Sequence, residues 1–321
     1  MDNNTNNSKP DVNKAQPDFN DFLRALEESG VEITEERRRE VENGIKAILS
    51  YEPRVGVFGK TGAGKSTLCN ALFGKNSFSI SDVDACTRRP QEEILSVGER
   101  GIKLIDVPGV GESGELDVEY AKLYYALLPE IDVVLWLLKA DDRAFSVDEK
   151  IFNNFVRPHV DQGKPVILVL SQSDKMHPAR EWNETSHRPG PAQIENIEKK
   201  SEAISKFFKV EAGDVIPISA MEKYNLTGLV DSITSRMPKD KRITFVREVS
   251  PENISEETKE TSSSDFVESV FKSVLRNSGS NYSMGSSFHS PFPDEDPAII
   301  AKLIKKTLKF VIKWPLWPWN W

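Results

Sequence analysis

A glycine-rich octapeptide, GKTGAGKS at positions 59–66, limits what this 321-residue chain can fold into more than any other feature. The apolar run RVGVFG leads into it and predicts a β-strand, and residues 66–73 follow with the pattern of a helix. Glycines let successive backbone N–H groups face an anion, and the N-terminus of the next helix adds positive potential. The strand, loop and helix therefore predict a phosphate-binding loop rather than a glycine turn that binds nothing.

A second motif, Asp106-Val107-Pro108-Gly109, ends the apolar strand IKLIDV. An aspartate at the carboxyl end of a strand beside a phosphate loop can hold Mg²⁺ through water, and the Gly109 N–H can sense a γ-phosphate. Within the loop, Lys65 is suited to neutralise the β- and γ-phosphates, and the Ser66 hydroxyl is suited to ligate Mg²⁺. The nucleotide contacts predicted from the two motifs are Gly59, Thr61, Gly62, Ala63, Gly64, Lys65, Ser66, Thr67, Asp106 and Gly109.

Short apolar strands alternate with helical stretches from residue 51 to residue 240. EEILSV and IKLIDV flank GERG and predict a hairpin, whereas IDVVLWLL and PVILVL are typical of strands buried on both faces of a parallel sheet. DVIPIS supplies a last strand, and helical patterns occupy residues 117–128, 147–159, 193–210 and 226–237. This alternation predicts an α/β fold, a three-layer domain with a mostly parallel sheet.

The flanking segments differ from this domain in composition. Residues 1–17 are rich in asparagine and are expected to be disordered, and residues 18–50 predict a helical prefix in which Thr34 caps the second helix. This prefix either covers the domain or forms an interaction module. Serine and acidic residues dominate most of residues 241–298, which predicts a flexible linker, although 266–275 could form a short helix.

Together, GKTGAGKS and DVPG resemble the translation-factor-related GTPases, particularly the bacterial Era and TrmE type, and are similar to the prophage-associated Era-like GTPases. The resemblance covers about residues 54–236 and implies that residues 51–240 form a GTPase domain. It further implies a Mg²⁺-dependent enzyme that binds GTP and hydrolyses it to GDP and phosphate. The switch I threonine of the family matches Thr87, so the implied Mg²⁺ ligands are Ser66, Thr87 and Asp106.

The guanine-reading motif of the family, Asn-Lys-x-Asp, matches Ser171-Gln172-Ser173-Asp174 only in part. Asp174 is retained, and its carboxylate can accept from the N1–H and 2-amino groups of guanine, which adenine cannot reproduce. Ser171 is shorter than asparagine and is expected to brace the phosphate loop less well. Gln172 is expected to contact the nucleotide, because it keeps an aliphatic stem that can cover the base, but it loses the charge. Ser219-Ala220 resembles the last family motif, whose backbone contacts the guanine oxygen, and an ATP-binding scaffold stays open as an alternative.

Hydrolysis is harder to assign to residues. Val110 stands where Ras-like enzymes place a glutamine, and Glu112 is our candidate for positioning water, against the alternative of a solvated charge. The resemblance thus implies Lys65, Thr87, Gly109 and Glu112 as catalytic residues. The TrmE type holds potassium through an asparagine at the position of Gly62, so the sequence does not support potassium activation. Three arginines could neutralise transition-state charge, and nothing in the sequence chooses among Arg88, Arg89 and Arg143.

The C-terminal tail, residues 299–321, departs from the net charge of −8 of the whole chain. Its lysines fall within about 100° of a helical wheel, and four of the six tryptophans occupy the last eight residues. Lysines on one helix face with interfacial tryptophans predict a segment lying on an anionic membrane, although docking on the domain or binding RNA stays open. The lysines are Lys302, Lys305, Lys306, Lys309 and Lys313.

These patterns predict a cytoplasmic GTPase switch that acts at the inner face of the cell membrane. The longest apolar run, residues 133–138, is far too short to span a bilayer, and the N-terminus has no pattern of a secretory signal. The alternative function is a nucleotide-gated protein that binds the ribosome or structured RNA and hydrolyses little GTP. Either function is compatible with a homodimer that forms when nucleotide binds.

Overall fold

The computed structural model describes Leu23, Arg24, Glu27 and residues 33–74, 93–96, 103–106 and 125–277. The chain divides into two compact units: Ser50–Ser262 is one, and the other takes residues up to Leu49 and from Ser263 onward. The N-terminal residues 1–17 and the tail at 299–321 lie outside the described residues, so the predictions of disorder and of an amphipathic helix stay predictions.

A six-stranded sheet forms the middle layer of the larger unit, in the order β2-β3-β1-β4-β5-β6. Strand β2 pairs antiparallel with β3, and every other pairing is parallel. This arrangement confirms both the predicted hairpin and the mostly parallel α/β sheet. The strands are β1 Arg54–Gly59, β2 Glu93–Ser96, β3 Lys103–Asp106, β4 Val133–Lys139, β5 Val166–Ser171 and β6 Val215–Pro217.

The helices follow the sequence patterns closely where they can be compared. Thr34 caps the first of them, since its Oγ1 accepts a hydrogen bond from the Arg37 N–H at 3.2 Å. A π-helical turn, Phe152–Val156, joins α3 to α4 within the helix predicted at 147–159. Only the end of the helix predicted at 117–128 lies in the described part of the chain, where it passes into the 3₁₀ turn Leu128–Glu130. The helices are α1 Glu35–Leu49, α2 Lys65–Phe73, α3 Ser146–Ile151, α4 Arg157–Val160, α5 Pro191–Phe208, α6 Leu226–Arg236, α7 Lys239–Glu248 and α8 Glu256–Asn277.

Helices cover both faces of the sheet and make three layers. Successive residues of β4 point to opposite faces: Val133 and Leu135 join a core with α2, α6 and α7, while Val134 and Trp136 join a core with α3, the π turn and α5. All four side chains are at most 2% exposed. Burying one such side chain contributes about 1.5–3 kcal/mol, so this double-sided burial explains the uninterrupted apolar run of β4.

The prediction of a flexible linker at 241–298 is wrong for residues 241–277, which are largely helical. Helix α7 buries Phe245 and Val246 in the domain core, and α8 begins at Glu256. The turn between these helices is fixed on α2, because the Ser250 N–H and the Asn253 Nδ2 donate to carbonyl groups of its last turn at 2.8 and 2.9 Å. A few apolar and capping residues therefore order a segment whose average composition is that of a linker. Residues 278–298 lie outside the described residues.

A polar cluster ties the start of the larger unit to α7 on the side of the sheet where β1 begins. The Tyr51 hydroxyl donates to Asp132 at 2.7 Å, and the Lys241 ammonium donates to both Asp132 and Tyr51, at 2.8 and 2.7 Å. The Arg54 N–H also donates to Asp132, at 2.9 Å. Among the helices of the described ranges, none has the length and hydropathy of a membrane-spanning segment.

Candidate nucleotide-binding site

The predicted site residues of the described chain gather at one edge of the sheet. Parallel strands end together, and the segments that follow β1, β5 and β6 leave from this carboxyl edge. Asp106 is the last residue of β3 and pairs in register with Val57 of β1, two residues before the phosphate loop begins. Ligands of open α/β sheets bind at this edge, so the fold places the loop, Asp106 and the segments after β5 and β6 where one ligand could reach them all.

Three glycines give the phosphate loop its shape. Gly59, Gly62 and Gly64 have φ of 144°, 78° and 90°, values that residues with a side chain rarely adopt. A Cβ on Gly59 would lie 2.6 Å from the Leu137 carbonyl oxygen, so any side chain at this position would also clash with β4. Gly64 precedes α2 and offers no side-chain cap, which leaves the N–H groups of the first turn for an anion.

Lys65 lies buried at the base of the loop. Its side chain folds back along the loop, and its ammonium donates to the carbonyl oxygens of Gly59 and Lys60 at 3.1 and 3.4 Å. Ser66 and Thr67 follow in the first turn of α2 and are half-buried. Ser66 at the helix start and Asp106 at the strand end offer oxygen donors of the kind that Mg²⁺ prefers. The residue types in these two positions fit a magnesium ion.

A second lysine of the loop is paired with a buried carboxylate that the sequence did not point to. Lys60 contacts Asp148 of α3 at 2.5 Å between Nζ and Oδ2, and Asp148 is only 2% exposed. Burial raises the pKa of the Asp148 carboxyl above its ordinary value, and the neighbouring Lys60 ammonium opposes that rise. The pair fastens the loop to α3 across 88 positions of sequence, and no local pattern could have predicted it.

Ser171 braces the phosphate loop despite its short side chain. Its hydroxyl donates to the Ala63 carbonyl oxygen at 2.7 Å, with the Leu138 carbonyl oxygen as a second acceptor at 3.2 Å. Ser171 and Ala63 are both buried, so the hydrogen bond is shielded from water. The end of β5 lies close enough to the loop for a serine to reach it. Ser171, which was expected to brace the loop less well than asparagine, therefore contacts it directly.

Gln172 makes a second contact with the loop. It adopts a left-handed backbone conformation with φ of 56°, and its Nε2 donates to the Gly62 carbonyl oxygen at 2.9 Å. Its Oε1 accepts from the Lys175 ammonium at 2.7 Å. Sequence reasoning singled out Gln172 as a residue that lacks charge and did not consider Lys175.

Asp174 lies on a 3₁₀ turn that is held from beneath. The Ser173 N–H donates to the Ile218 carbonyl oxygen at 2.9 Å, which joins this turn to the chain after β6. Gln193 of α5 is fully buried, and its Nε2 donates to the carbonyl oxygens of Asp174 and Met176 at 3.0 and 2.8 Å. Gln193 was missed by sequence reasoning, and its only signal is a polar residue on the inner face of an amphipathic helix.

Ser219 and Ala220 follow β6 in a closed loop. Ser219 is buried and exchanges backbone hydrogen bonds with Tyr224, at 3.2 and 2.9 Å. Its Oγ accepts from the Glu222 N–H at 3.3 Å, and the Trp182 ring packs edge-on against Tyr224 with centroids 5.6 Å apart. The backbone of this loop is therefore held in one conformation beside the Asp174 turn.

Three of the predicted catalytic residues cannot be placed beside this site. Thr87, Gly109 and Glu112 lie outside the described residues, as do Arg88 and Arg89. Of Asp106 only the backbone position is described. Arg143 is exposed in the loop after β4. The roles of these residues stay predictions.

The chain is similar in sequence and in fold to known GTPases. Residues 54–172 match the family described as 50S ribosome-binding GTPase. The chain is 40% identical over 226 residues to the uncharacterized protein YkfA of Escherichia coli K12. The aligned region covers 70% of this chain and 76% of YkfA. It is also 31% identical over 188 residues to the GTPase Era of Aquifex aeolicus, and this aligned region covers 57% of this chain and 56% of Era. A crystal structure of an Aquifex aeolicus Era variant bound to GDP and AlF4⁻ is similar at 29% identity, with 58% of this chain and 56% of that chain covered and a TM-score of 0.44.

Proposed function

Because this chain belongs to the Era-like P-loop GTPases, we propose that it binds GTP with Mg²⁺ and hydrolyses it to GDP and phosphate as a switch. The contact between the phosphate loop and the Ser171-Gln172-Ser173-Asp174 segment carries this proposal. It joins groups suited to phosphates and a group suited to guanine into one site, with bridging hydrogen bonds of 2.7 and 2.9 Å.

The charged and polar groups of the site have separate proposed roles in holding the nucleotide. Lys65 neutralises the β- and γ-phosphates, and Asp174 accepts from the N1–H and 2-amino groups of guanine. The backbone of Ser219 and Ala220 contacts the guanine oxygen. Ser66 and Asp106 would hold Mg²⁺, with Thr87 as a third proposed ligand. When bound, the ion supplies positive charge beside the phosphates.

Hydrolysis is proposed as an in-line attack of water on the γ-phosphate. In such reactions the protein contributes mainly positioning and charge neutralisation, because charge spreads over the phosphoryl oxygens in the transition state. Lys65 supplies charge, the Gly109 N–H contacts the γ-phosphate, and Glu112 positions the water. Gly62 has no side chain that could ligate potassium, so no potassium ion is part of the proposal.

Asp174→Asn tests the base assignment. The change removes an acceptor that pairs with guanine, so the affinity for GTP should fall about tenfold to a hundredfold. Xanthosine triphosphate presents a carbonyl where guanine has its amine, and its affinity should rise. Competition against a fluorescent GTP analogue measures both values.

Controls separate the base from the phosphates. Asp161→Asn changes an exposed aspartate after α4 and should leave both affinities unaltered. Lys65→Ala should abolish tight binding of every triphosphate. Unchanged GTP affinity in Asp174→Asn would refute the guanine assignment, and tight binding by Lys65→Ala would refute the phosphate-loop assignment.

We further propose that the tail at 299–321 places this switch on an anionic membrane surface. The support is its sequence: five lysines on one face of a helical pattern and four tryptophans that favour the membrane interface. The family description, 50S ribosome-binding GTPase, favours a second candidate in which the nucleotide gates binding to the ribosome. In that case the tail lysines would contact RNA phosphates and the indoles would stack on bases.

A further inference from the structure

The base-reading segment lacks a positive charge at the position where the resembling GTPases carry one. Gln172 occupies that position, and the next lysine of the chain, Lys175, comes one residue after Asp174. The 3₁₀ turn Ser173–Lys175 begins directly after Gln172. The Lys175 N–H donates to the Gln172 carbonyl oxygen at 3.0 Å, so the turn closes back on Gln172 and brings Lys175 close to it.

The two side chains form a continuous bridge to the phosphate loop. The Lys175 ammonium donates to Gln172 Oε1 at 2.7 Å, and Gln172 Nε2 donates to the Gly62 carbonyl oxygen at 2.9 Å. Both polar ends of the amide are thus engaged, which fixes its orientation. An ammonium on the amide oxygen draws electron density from the amide nitrogen and strengthens it as a donor, because hydrogen bonds in a chain polarise one another.

Gln172 and Ser171 grip neighbouring peptide groups of the loop. Ser171 holds the Ala63 carbonyl at 2.7 Å, one residue beyond the carbonyl that Gln172 holds. A peptide group is planar and trans, so fixing the direction of a carbonyl also fixes the N–H on the other side of the same peptide bond. The N–H that shares a peptide bond with the Gly62 carbonyl is that of Ala63, and it donates to the Lys60 carbonyl oxygen at 3.1 Å. The bridge therefore restricts the backbone conformation of the loop at residues 60–63.

We propose that Lys175, acting through Gln172, is a positioning residue for the phosphate loop and replaces the lysine that the standard motif has at position 172. This inference rests on the proposed function, since the bridge matters only when the loop binds a nucleotide. A lysine displaced by three residues and an intervening amide perform the work of one side chain. Loss of the bridge should loosen the loop and speed nucleotide release without removing phosphate-binding or base-reading groups.

The dissociation rate of a fluorescent GDP analogue from the full-length protein, measured by stopped flow, tests the bridge. Lys175→Ala should speed release about three- to tenfold, as expected for loss of one charge-assisted hydrogen bond at an exposed position. Lys175→Arg keeps a donor and should restore the wild-type rate. The double change Gln172→Lys with Lys175→Ala places a lysine at the position where the family motif has one and should also release GDP slowly. The matched control is Lys199→Ala, which removes an exposed lysine paired with Glu195 on α5 and should have no effect.

A double-mutant cycle separates a bridge from an independent lysine. In the Gln172→Ala background the lysine has no amide to act through, so Lys175→Ala should add nothing further. Thermal unfolding of Lys175→Ala should match the wild type, since the bridge is exposed. A release rate equal to that of Lys199→Ala, or an equal effect of Lys175→Ala with and without Gln172, would overturn this inference alone. Failure of the wild-type chain to bind guanine nucleotides would overturn the proposed function and this inference with it.

Discussion

The carboxylate proposed to read guanine lies on a turn that is positioned by two buried residues, Ser173 and Gln193. Asp174 lies on a short turn whose backbone is held by Ser173 on one side and by Gln193 on the other. Gln193 is the more informative of the two, because it reaches from α5 and donates to two carbonyl groups of the turn while fully buried. A buried amide in this place links the packing of α5 to the orientation of Asp174.

Gln193→Leu should show this link. Leucine keeps a similar volume but leaves the Asp174 and Met176 carbonyl groups without their donor, which should lower the free energy of unfolding by about 1–3 kcal/mol. Discrimination between GTP and ATP should also fall, because the Asp174 turn is less fixed. Urea unfolding and competition binding measure the two effects, with Gln162→Leu at an exposed position as control. Weaker stability with unchanged discrimination would mean that Gln193 supports the fold but not the site.

The sequence predicted the residues of the site that carry a local motif and missed those that act across the fold. Lys65 and Asp174 are set by their spacing from a strand end, so they could be named from sequence alone. Lys60 with Asp148, and Gln193 with the Asp174 turn, depend on which helix packs beside which loop. Lys175 is an intermediate case, because its spacing of three residues from Gln172 was visible but needed the 3₁₀ turn to give it meaning.

At the scale of elements, apolar runs predicted the strands well. Composition predicted a linker where a few residues attach a helix and a turn to the core. The strands β4 and β5 are buried on both faces, so their sequence is uninterrupted and unmistakable. Helix α7 is predominantly polar, and Phe245 and Val246 attach it to the core. The turn that follows is fixed by Asn253, whose amide caps α2. An average over this segment hides each of these contacts.

The cluster of Tyr51, Asp132 and Lys241 holds α7 on the domain, and its contribution to the free energy of unfolding should decrease at alkaline pH. Burial raises the pKa of the Tyr51 hydroxyl above 10.0, with Asp132 adding to the rise and Lys241 opposing it. Burial lowers the pKa of Lys241, but its hydrogen bonds to Asp132 and Tyr51 outweigh burial and leave the pKa above 10.5. Both groups are favoured in their protonated forms by folding, so their contribution is complete below pH 10 and is lost as pH rises through the folded pKa values.

Replacing Tyr51 by Phe together with Lys241 by Met should therefore destabilise the protein most below pH 10. Asp132 loses two side-chain partners, which should cost about 1–3 kcal/mol. The gap between wild type and variant should narrow between pH 10 and pH 11, as urea unfolding midpoints would show. Lys150→Met, on the exposed face of α3, serves as control. A gap that stays constant to pH 11 would show that the cluster does not titrate with folding.

At the scale of the whole molecule, charge is distributed unevenly between body and tail. Removing the five tail lysines from a net charge of −8 leaves −13 on the remainder, so an anionic membrane would repel the body and attract the tail. Each lysine near such a surface contributes about 1 kcal/mol, and indole burial adds to this. Anionic membrane binding through the tail is therefore expected to be strong enough to overcome repulsion of the body only if the lysines reach the surface together.

Flotation with lipid vesicles tests this balance against the ribosomal alternative. The full chain should float with anionic vesicles and stay at the bottom with neutral ones, whereas a chain ending at Ser290 should stay at the bottom with both. A variant with glutamine at all five lysine positions keeps every tryptophan and should lose most of the binding, because roughly 5 kcal/mol of attraction is gone. The same proteins are sedimented with ribosomes in the presence of GTP or GDP. If the full chain never floats but pellets with ribosomes in GTP and not in GDP, the membrane proposal is refuted and the ribosomal alternative is supported, since a switch binds its target more tightly in one nucleotide state than in the other.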